Sequence, residues 1–121
     1  MFMTIGEVSE KYEMTADTLR YYERIGLIPP VPRNKNGIRN FDEEACRWVS
    51  FVKCMRSAGV QIEALIEYVA LMQANTGVER RKKILIEQRA RLQKQEEHLR
   101  STIERLDYKI ANYEKLFAKK N

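Results

Sequence analysis

No apolar run long enough to cross a bilayer occurs in this chain of 121 residues, and Met1-Phe2-Met3-Thr4 is not a basic segment followed by an apolar one. A spanning helix needs about 20 mainly apolar residues, and a secretory leader needs that basic-then-apolar order. A soluble, cytoplasmic protein with no membrane partner is expected. Cysteine is scarce: Cys46 and Cys54 stand alone. Eight positions apart on one helix they would lie ~12 Å apart at about 1.5 Å rise per residue, beyond disulfide reach. A reducing compartment fits. The single histidine, His98, joins neither cysteine in a metal-ligand spacing, so no metal and no cofactor is expected. A paired general base and nucleophile and a phosphate-binding loop are also lacking, which argues against an enzyme. The length allows one compact domain, or a small domain with an extended element.

Charge is present but unevenly placed. The net charge is +5. Residues 1–77 carry nine Lys/Arg against ten Asp/Glu, whereas residues 78–121 carry thirteen against seven. Residues 15–41 hold a small surplus, five basic groups against two acidic. A basic balance suits nucleic acid, but this distribution is a weak indicator, and pattern is more informative.

Thr4-Ile5-Gly6-Glu7 has the form of a capping box, in which the hydroxyl caps the first turn and the carboxylate reaches back. Ile5, Val8 and Tyr12 then share a face over about two turns. Thr15 is the expected N-cap of a second helix, and Gly26 the left-handed residue that closes it. The short link Glu13-Met14 suits a helix-turn-helix. At about 100° per residue, Ala16, Leu19, Tyr22 and Glu23 fall on one arc and Asp17, Arg20, Tyr21 and Arg24 on the opposite one. The first arc can dock on the first helix. The second offers guanidinium and phenol groups to phosphates and base edges, or is an ordinary solvated face.

Pro29, Pro30 and Pro32 exclude helix, and Val31-Pro32-Arg33 and Ile38-Arg39-Asn40-Phe41 flank Asn34-Lys35-Asn36-Gly37. Asn-Gly is a strong hairpin signal. A small β wing carrying Arg33, Lys35 and Arg39 is predicted, the alternative being a surface turn of basic character. Asp42 should cap a third helix running to about Ser57 and closed by Gly59. Its apolar arc of Ala45, Trp48, Val49, Phe51, Val52 and Met55 is expected to form the main core. A fourth helix from about Val60 places Ile62, Leu65, Ile66, Val69 and Met72 at helical spacing and ends at Asn75-Thr76-Gly77.

From Val78 to about Phe117 neither Gly nor Pro intervenes, which predicts one helix of roughly 60 Å at about 1.5 Å per residue. Leu85, Leu92, Leu99, Leu106 and Tyr113 are spaced seven apart. With these as d, the a positions are Lys82, Arg89, Glu96, Ile103, Ile110 and Phe117, a poor seam proximally and a good one distally. Pairing is therefore expected at Leu92, Leu99, Ile103, Leu106, Ile110, Tyr113 and Phe117, with the proximal turns packed on the heads. The resulting organisation is a head over 1–75, a coiled-coil dimerisation helix over 78–119 and a tail at 120–121.

Together these motifs resemble the MerR family of bacterial transcription regulators. The resemblance rests on Thr4-Ile5-Gly6-Glu7-Val8, Thr15-Ala16-Asp17-Thr18-Leu19-Arg20-Tyr21-Tyr22-Glu23, Gly26-Leu27-Ile28, Asn36-Gly37-Ile38-Arg39 with Phe41, and Ser57-Ala58-Gly59. It covers about residues 3–75. It implies an all-α fold with a small β wing, a winged helix-turn-helix head, and a homodimer joined by an antiparallel coiled coil. It also implies binding to a pseudo-palindrome in double-stranded promoter DNA whose polymerase-recognition elements are too far apart. The dimer would bend and underwind that spacer so that RNA polymerase engages both elements. By the family pattern, Thr15, Ala16, Thr18, Arg20 and Tyr21 contact DNA from the second helix. Arg33, Asn36, Gly37 and Arg39 contact it from the wing, and Thr4 and Ile5 approach the backbone at a helix N-terminus. Three departures stand out. Ile38 and Phe41 replace common tyrosines, Gln61 replaces a serine that opens the fourth helix, and neither sensing cysteines nor a binding domain follows the pairing helix.

Cys54 is the remaining candidate for sensing. It lies about 140° from the centre of the third helix's apolar arc, and Lys53 and Arg56 are near in sequence, where cations favour a thiolate. The resemblance to a branch of the family that responds to aldehydes and other electrophiles places the sensing cysteine in this segment. The alternative is that Cys54 packs under a partner helix; Cys46 is expected to be inert. Three functions remain open: an electrophile-responsive activator, a repressor or effector-independent DNA binder, and a coiled-coil interaction protein.

Overall fold

The computed structural model describes residues 2–117, without the side chains of residues 116 and 117. The seam position assigned to the Phe117 side chain, the helix end at 119 and the tail at 120–121 therefore lie outside the described residues. The chain divides into two units between Gln88 and Arg89.

The first unit begins with α1 (Ile5–Tyr12), opened by the capping box: Thr4 Oγ1 accepts from the Glu7 amide and the Glu7 carboxylate accepts from the Thr4 amide. α2 (Ala16–Arg24) is capped by Thr15, and Gly26 takes the left-handed conformation at φ +81°. α3 (Glu43–Ser57) starts on Asp42, whose carboxylate accepts from the Ala45 amide. α4 (Ile62–Gln73) and the opening turns of α5 (Val78–Ala111) complete the unit. α1 packs on both α2 and α3. The core draws on every one of these elements: Val8, Leu19, Leu27, Ile28, Phe41, Val49, Val52, Leu65, Val69 and Ile84 are all buried. Each such side chain contributes roughly 1.5–3 kcal/mol of transfer free energy.

Several details differ from the sequence expectation. Trp48 and Phe51 are only half-buried; their rings meet Tyr68 at centroid distances of 6.3 and 6.1 Å along an open groove. The small apolar residues of α3, Val49 and Val52, form its core contribution instead. The fourth helix starts at Ile62, and Gln61 gives it no side-chain cap. Gln88 from α5 supplies that function: its Oε1 accepts from the Gln61 amide at 3.2 Å and its Nε2 donates to Gln61 Oε1 at 3.1 Å. This accounts for a glutamine at a buried position of α5. Arg80 adds a forked pair to Glu67 of α4, both bonds at 2.7 Å. The wing consists of isolated bridges, Arg33 to Arg39 and Met3 to Phe41.

The second unit holds the remainder of α5 and α6 (Tyr113–Phe117). The predicted uninterrupted helix is broken at Asn112. The Asn112 side-chain amide donates to the Tyr108 carbonyl at 2.8 Å, the same oxygen that its backbone amide reaches at 3.1 Å. Asparagine competes in this way for helical acceptors. Leu99, Ile103, Leu106, Ile110 and Tyr113 are all exposed. No helix among the described residues is long and apolar enough to cross a membrane.

Candidate nucleic-acid interface

The second helix divides its faces as its periodicity predicts. Leu19 is buried and Tyr22 and Glu23 are partly buried, while Asp17, Arg20, Tyr21 and Arg24 are exposed. The outward groups are loosely organised by one another. Arg20 meets the Asp17 carboxylate at 2.9 Å, and the Arg24 guanidinium lies 5.3 Å from the Tyr21 ring centroid. Both Arg20 and Asp17 are well exposed, so this pair has little hold on the arginine. Thr15 and Thr18 share their hydroxyls at 2.8 Å, with the Thr18 amide on Thr15 Oγ1. Ala16 and Thr18 are half-exposed at that helix start. Thr4, exposed, and Ile5, half-exposed, occupy the start of α1. The amides of a helix N-terminus favour an anion.

In the wing, Asn34, not Asn36, organises the turn. Asn34 Oδ1 accepts from the amides of Asn36 and Ile38, and the Gly37 amide donates to the Asn34 carbonyl. Gly37 has φ +76° whereas Asn36 does not adopt positive φ. The loop is thus a turn followed by a left-handed glycine, and not the mirror-image two-residue turn that Asn-Gly commonly marks. Arg33 closes the loop by donating to the Gly37 carbonyl at 2.7 Å. Lys35 and Asn36 stay exposed at the tip.

Arg39 is held differently. Its Nε donates to Glu23 Oε1 at 2.6 Å, and Glu23 Oε2 accepts from the Val31 amide at 2.7 Å. The side chains of Arg39 and Glu23 are only 21% and 14% exposed. Burial pushes the Glu23 carboxyl up, but the Val31 amide, Arg39 and the more distant Arg33 outweigh it, holding the group below its ordinary 4.5. Helical periodicity alone assigns Glu23 only a place on the docking arc. A carboxylate on an apolar arc needs a partner, and that was the available signal.

Cys54 is exposed and Cys46 is partly buried beside Met3 and the Phe41 carbonyl. The cations beside Cys54 in sequence are engaged by backbone: Lys53 Nζ donates to the Tyr12 carbonyl and Arg56 to the Val60 carbonyl at 2.7 Å. The described residues contain no cluster of His, Cys, Asp and Glu able to hold a metal ion.

The family model for MerR HTH family regulatory proteins matches residues 3–71. The HTH-type transcriptional regulator AdhR of Bacillus subtilis (strain 168) is 55% identical over 91 residues, 74% of this chain. That match spans 65% of the relative's own length. A MerR family transcriptional regulator from Listeria monocytogenes has a crystal structure that superposes with a TM-score of 0.88 at 46% identity, covering 93% of this chain and 86% of that one. HiNmlR, a MerR family regulator lacking the sensor domain and crystallised on promoter DNA, superposes with a TM-score of 0.86 at 28% identity, covering 98% of this chain and 94% of that one. Sequence and fold agree across head and long helix: the chain belongs to the MerR family of helix-turn-helix transcriptional regulators and is not an enzyme.

Proposed function

We propose that this regulator binds a pseudo-palindromic promoter operator as a homodimer and activates transcription by bending and underwinding the spacer for RNA polymerase. The observation that carries DNA binding is the outward face of α2, where Arg20, Tyr21 and Arg24 are exposed while Leu19 anchors the opposite side. Thr15, Ala16 and Thr18 at the helix start, Arg33, Asn36, Gly37 and Arg39 in the wing, and Thr4 and Ile5 at the start of α1 extend this contact set. HiNmlR, a regulator of like fold, was crystallised on promoter DNA, which supports this reading. Two heads on successive major grooves, about 34–36 Å apart, require a dimer. The exposed stripe of Leu99, Ile103, Leu106, Ile110 and Tyr113, continued by the half-buried Leu92, is the proposed seam.

For the signal we propose an aldehyde or other electrophile acting at Cys54. An aldehyde adds reversibly: the sulfur bonds to the carbonyl carbon, the thiol proton ends on the oxygen, and nothing is oxidised. Exposure of Cys54 supports this reading, as does the resemblance to the electrophile-responsive branch. The direction of Lys53 and Arg56 toward backbone carbonyls favours a second reading, effector-independent DNA binding, because both side chains are held in the head's own hydrogen bonding.

Footprinting and run-off transcription on the promoter beside the chain's own gene, with wild type and Cys54→Ala, separate the two. The sensor reading expects equal protection by both proteins and aldehyde-induced transcription from wild type alone. Equal induction by Cys54→Ala would remove Cys54 as sensor. Transcription independent of aldehyde in both would establish the second reading.

A further inference from the structure

The carboxylate of Glu23 connects three parts of the head. It sits on α2, accepts from the Val31 amide in the segment after that helix, and accepts from Arg39 on the returning side of the wing. Only the Nε edge of Arg39 is used by this contact. Among the described residues no acceptor meets its two terminal nitrogens, and neither is buried without a partner, so both stay open to solvent. Guanidinium carries five N–H donors in a rigid fork. A group fixed along one edge therefore presents its remaining donors in a set direction, whereas a free arginine must lose rotamer freedom on binding.

We propose that Glu23 is a positioning residue for DNA binding: it grips the Nε edge of Arg39 and thereby aims the opposite edge of that guanidinium at a backbone phosphate beside the wing. This rests on the DNA-binding reading given above. Arg39 is then a phosphate ligand set in place before DNA arrives, and Glu23 acts through it without touching DNA. Arg33 makes a weaker claim to the role, since its guanidinium already closes the exposed loop through the Gly37 carbonyl. Lysine cannot substitute at position 39, because an ammonium lacks a second edge to offer.

Operator affinity measured against salt concentration tests this in wild type, Glu23→Gln, Arg39→Lys, Arg39→Ala and the double variant Glu23→Gln/Arg39→Ala. Melting curves accompany each variant. Loss of one phosphate contact lowers the slope of log affinity against log salt by about 0.9 per half-site. Arg39→Ala should show that reduced slope. Glu23→Gln leaves the charge on Arg39, so it should keep the wild-type slope while losing roughly five- to tenfold in affinity, about 1–1.4 kcal/mol by the tenfold-per-1.4 relation. Arg39→Lys should match Glu23→Gln in both respects. The double variant should bind no more weakly than Arg39→Ala, since Glu23 has nothing left to aim.

An unchanged slope in Arg39→Ala would overturn the phosphate contact. Wild-type affinity in Glu23→Gln or Arg39→Lys would overturn the positioning role, and so would additive losses in the double variant. If Arg39→Ala fails to fold, Arg39→Lys and Glu23→Gln still decide. Failure of wild type itself to bind the operator at low salt would overturn the DNA-binding reading and this role together, an outcome distinct from all the others.

Discussion

Val8, Leu19, Leu27, Phe41, Val49 and Val52 of the head are closed off from water, whereas beyond Gln88 the apolar residues Leu99, Ile103, Leu106, Ile110 and Tyr113 are each more than half exposed. The two regions use the same residue types at helical spacing, yet only one has an intramolecular layer to cover them. In the head, short helices turn back on one another and share a core. In the distal part of α5 and α6 the apolar residues follow a seven-residue repeat, the period that suits a second helix and not a globular core. Apolar residues that the chain covers itself are thus distinguishable from those it leaves exposed at seven-residue spacing.

A charge placed in the uncovered stripe should have the largest effect. Leu106→Arg should abolish dimerisation, seen as a halved mass by light scattering, because a guanidinium in an apolar seam costs several kcal/mol. Joining two half-site contacts raises avidity by about 10²–10⁴, so operator affinity should fall by at least about 100-fold. The head should keep its fold, since Leu106 takes no part in its core. A variant that remains dimeric would show that the seam lies elsewhere.

A smaller effect is expected from within the head. Arg20 is exposed, and its one partner, Asp17, is almost wholly so. Arg20→Ala should shift melting by very little, in keeping with surface changes of about ±0.5 kcal/mol. It should weaken operator binding by roughly 1–3 kcal/mol if the guanidinium reads a base edge. Gel shifts and melts on the same preparation check both parts. A fall in stability with unchanged affinity would mean that this face of α2 supports the fold and does not meet DNA.

What was legible in the sequence was local. The caps Thr4, Thr15 and Asp42 act within three residues of themselves, and the structure contains all three contacts. The faces of α2 follow from periodicity alone. What was not legible depends on neighbours remote in sequence. Periodicity put Trp48 and Phe51 on the core side of α3 but could not say how far the facing layer reaches, and both rings remain at its edge. Nearness in sequence suggested that Lys53 and Arg56 serve Cys54, yet the open carbonyls of Tyr12 and Val60 hold them. The weak cap at Gln61 was visible, while its remedy, Gln88, lay 27 residues away. Asn112 gave no warning beside Gly and Pro as helix breakers, because its effect arises from a side-chain bond to an acceptor one turn back.

Acid should separate the two regions by the smallest effect. Glu23 is a partly buried carboxylate of the head, whereas on the distal helix Glu96, Glu104 and Asp107 are exposed. In the folded head burial raises the Glu23 carboxyl, but the Val31 amide and Arg39 dominate and leave it below 4.5. A carboxyl depressed on folding adds stability that is fully present above its unfolded value and is lost as pH falls through its folded one. The contribution should thus be intact at pH 7, begin to fade below about pH 4.5 and vanish once the folded carboxyl is protonated. Glu23→Gln lacks this group at every pH. Wild type should therefore melt above Glu23→Gln at neutral pH, and the gap between them should narrow steadily on acidification below 4.5. A gap that stays constant into strong acid would mean that Glu23 holds the wing through shape alone and that its charge contributes nothing to the head.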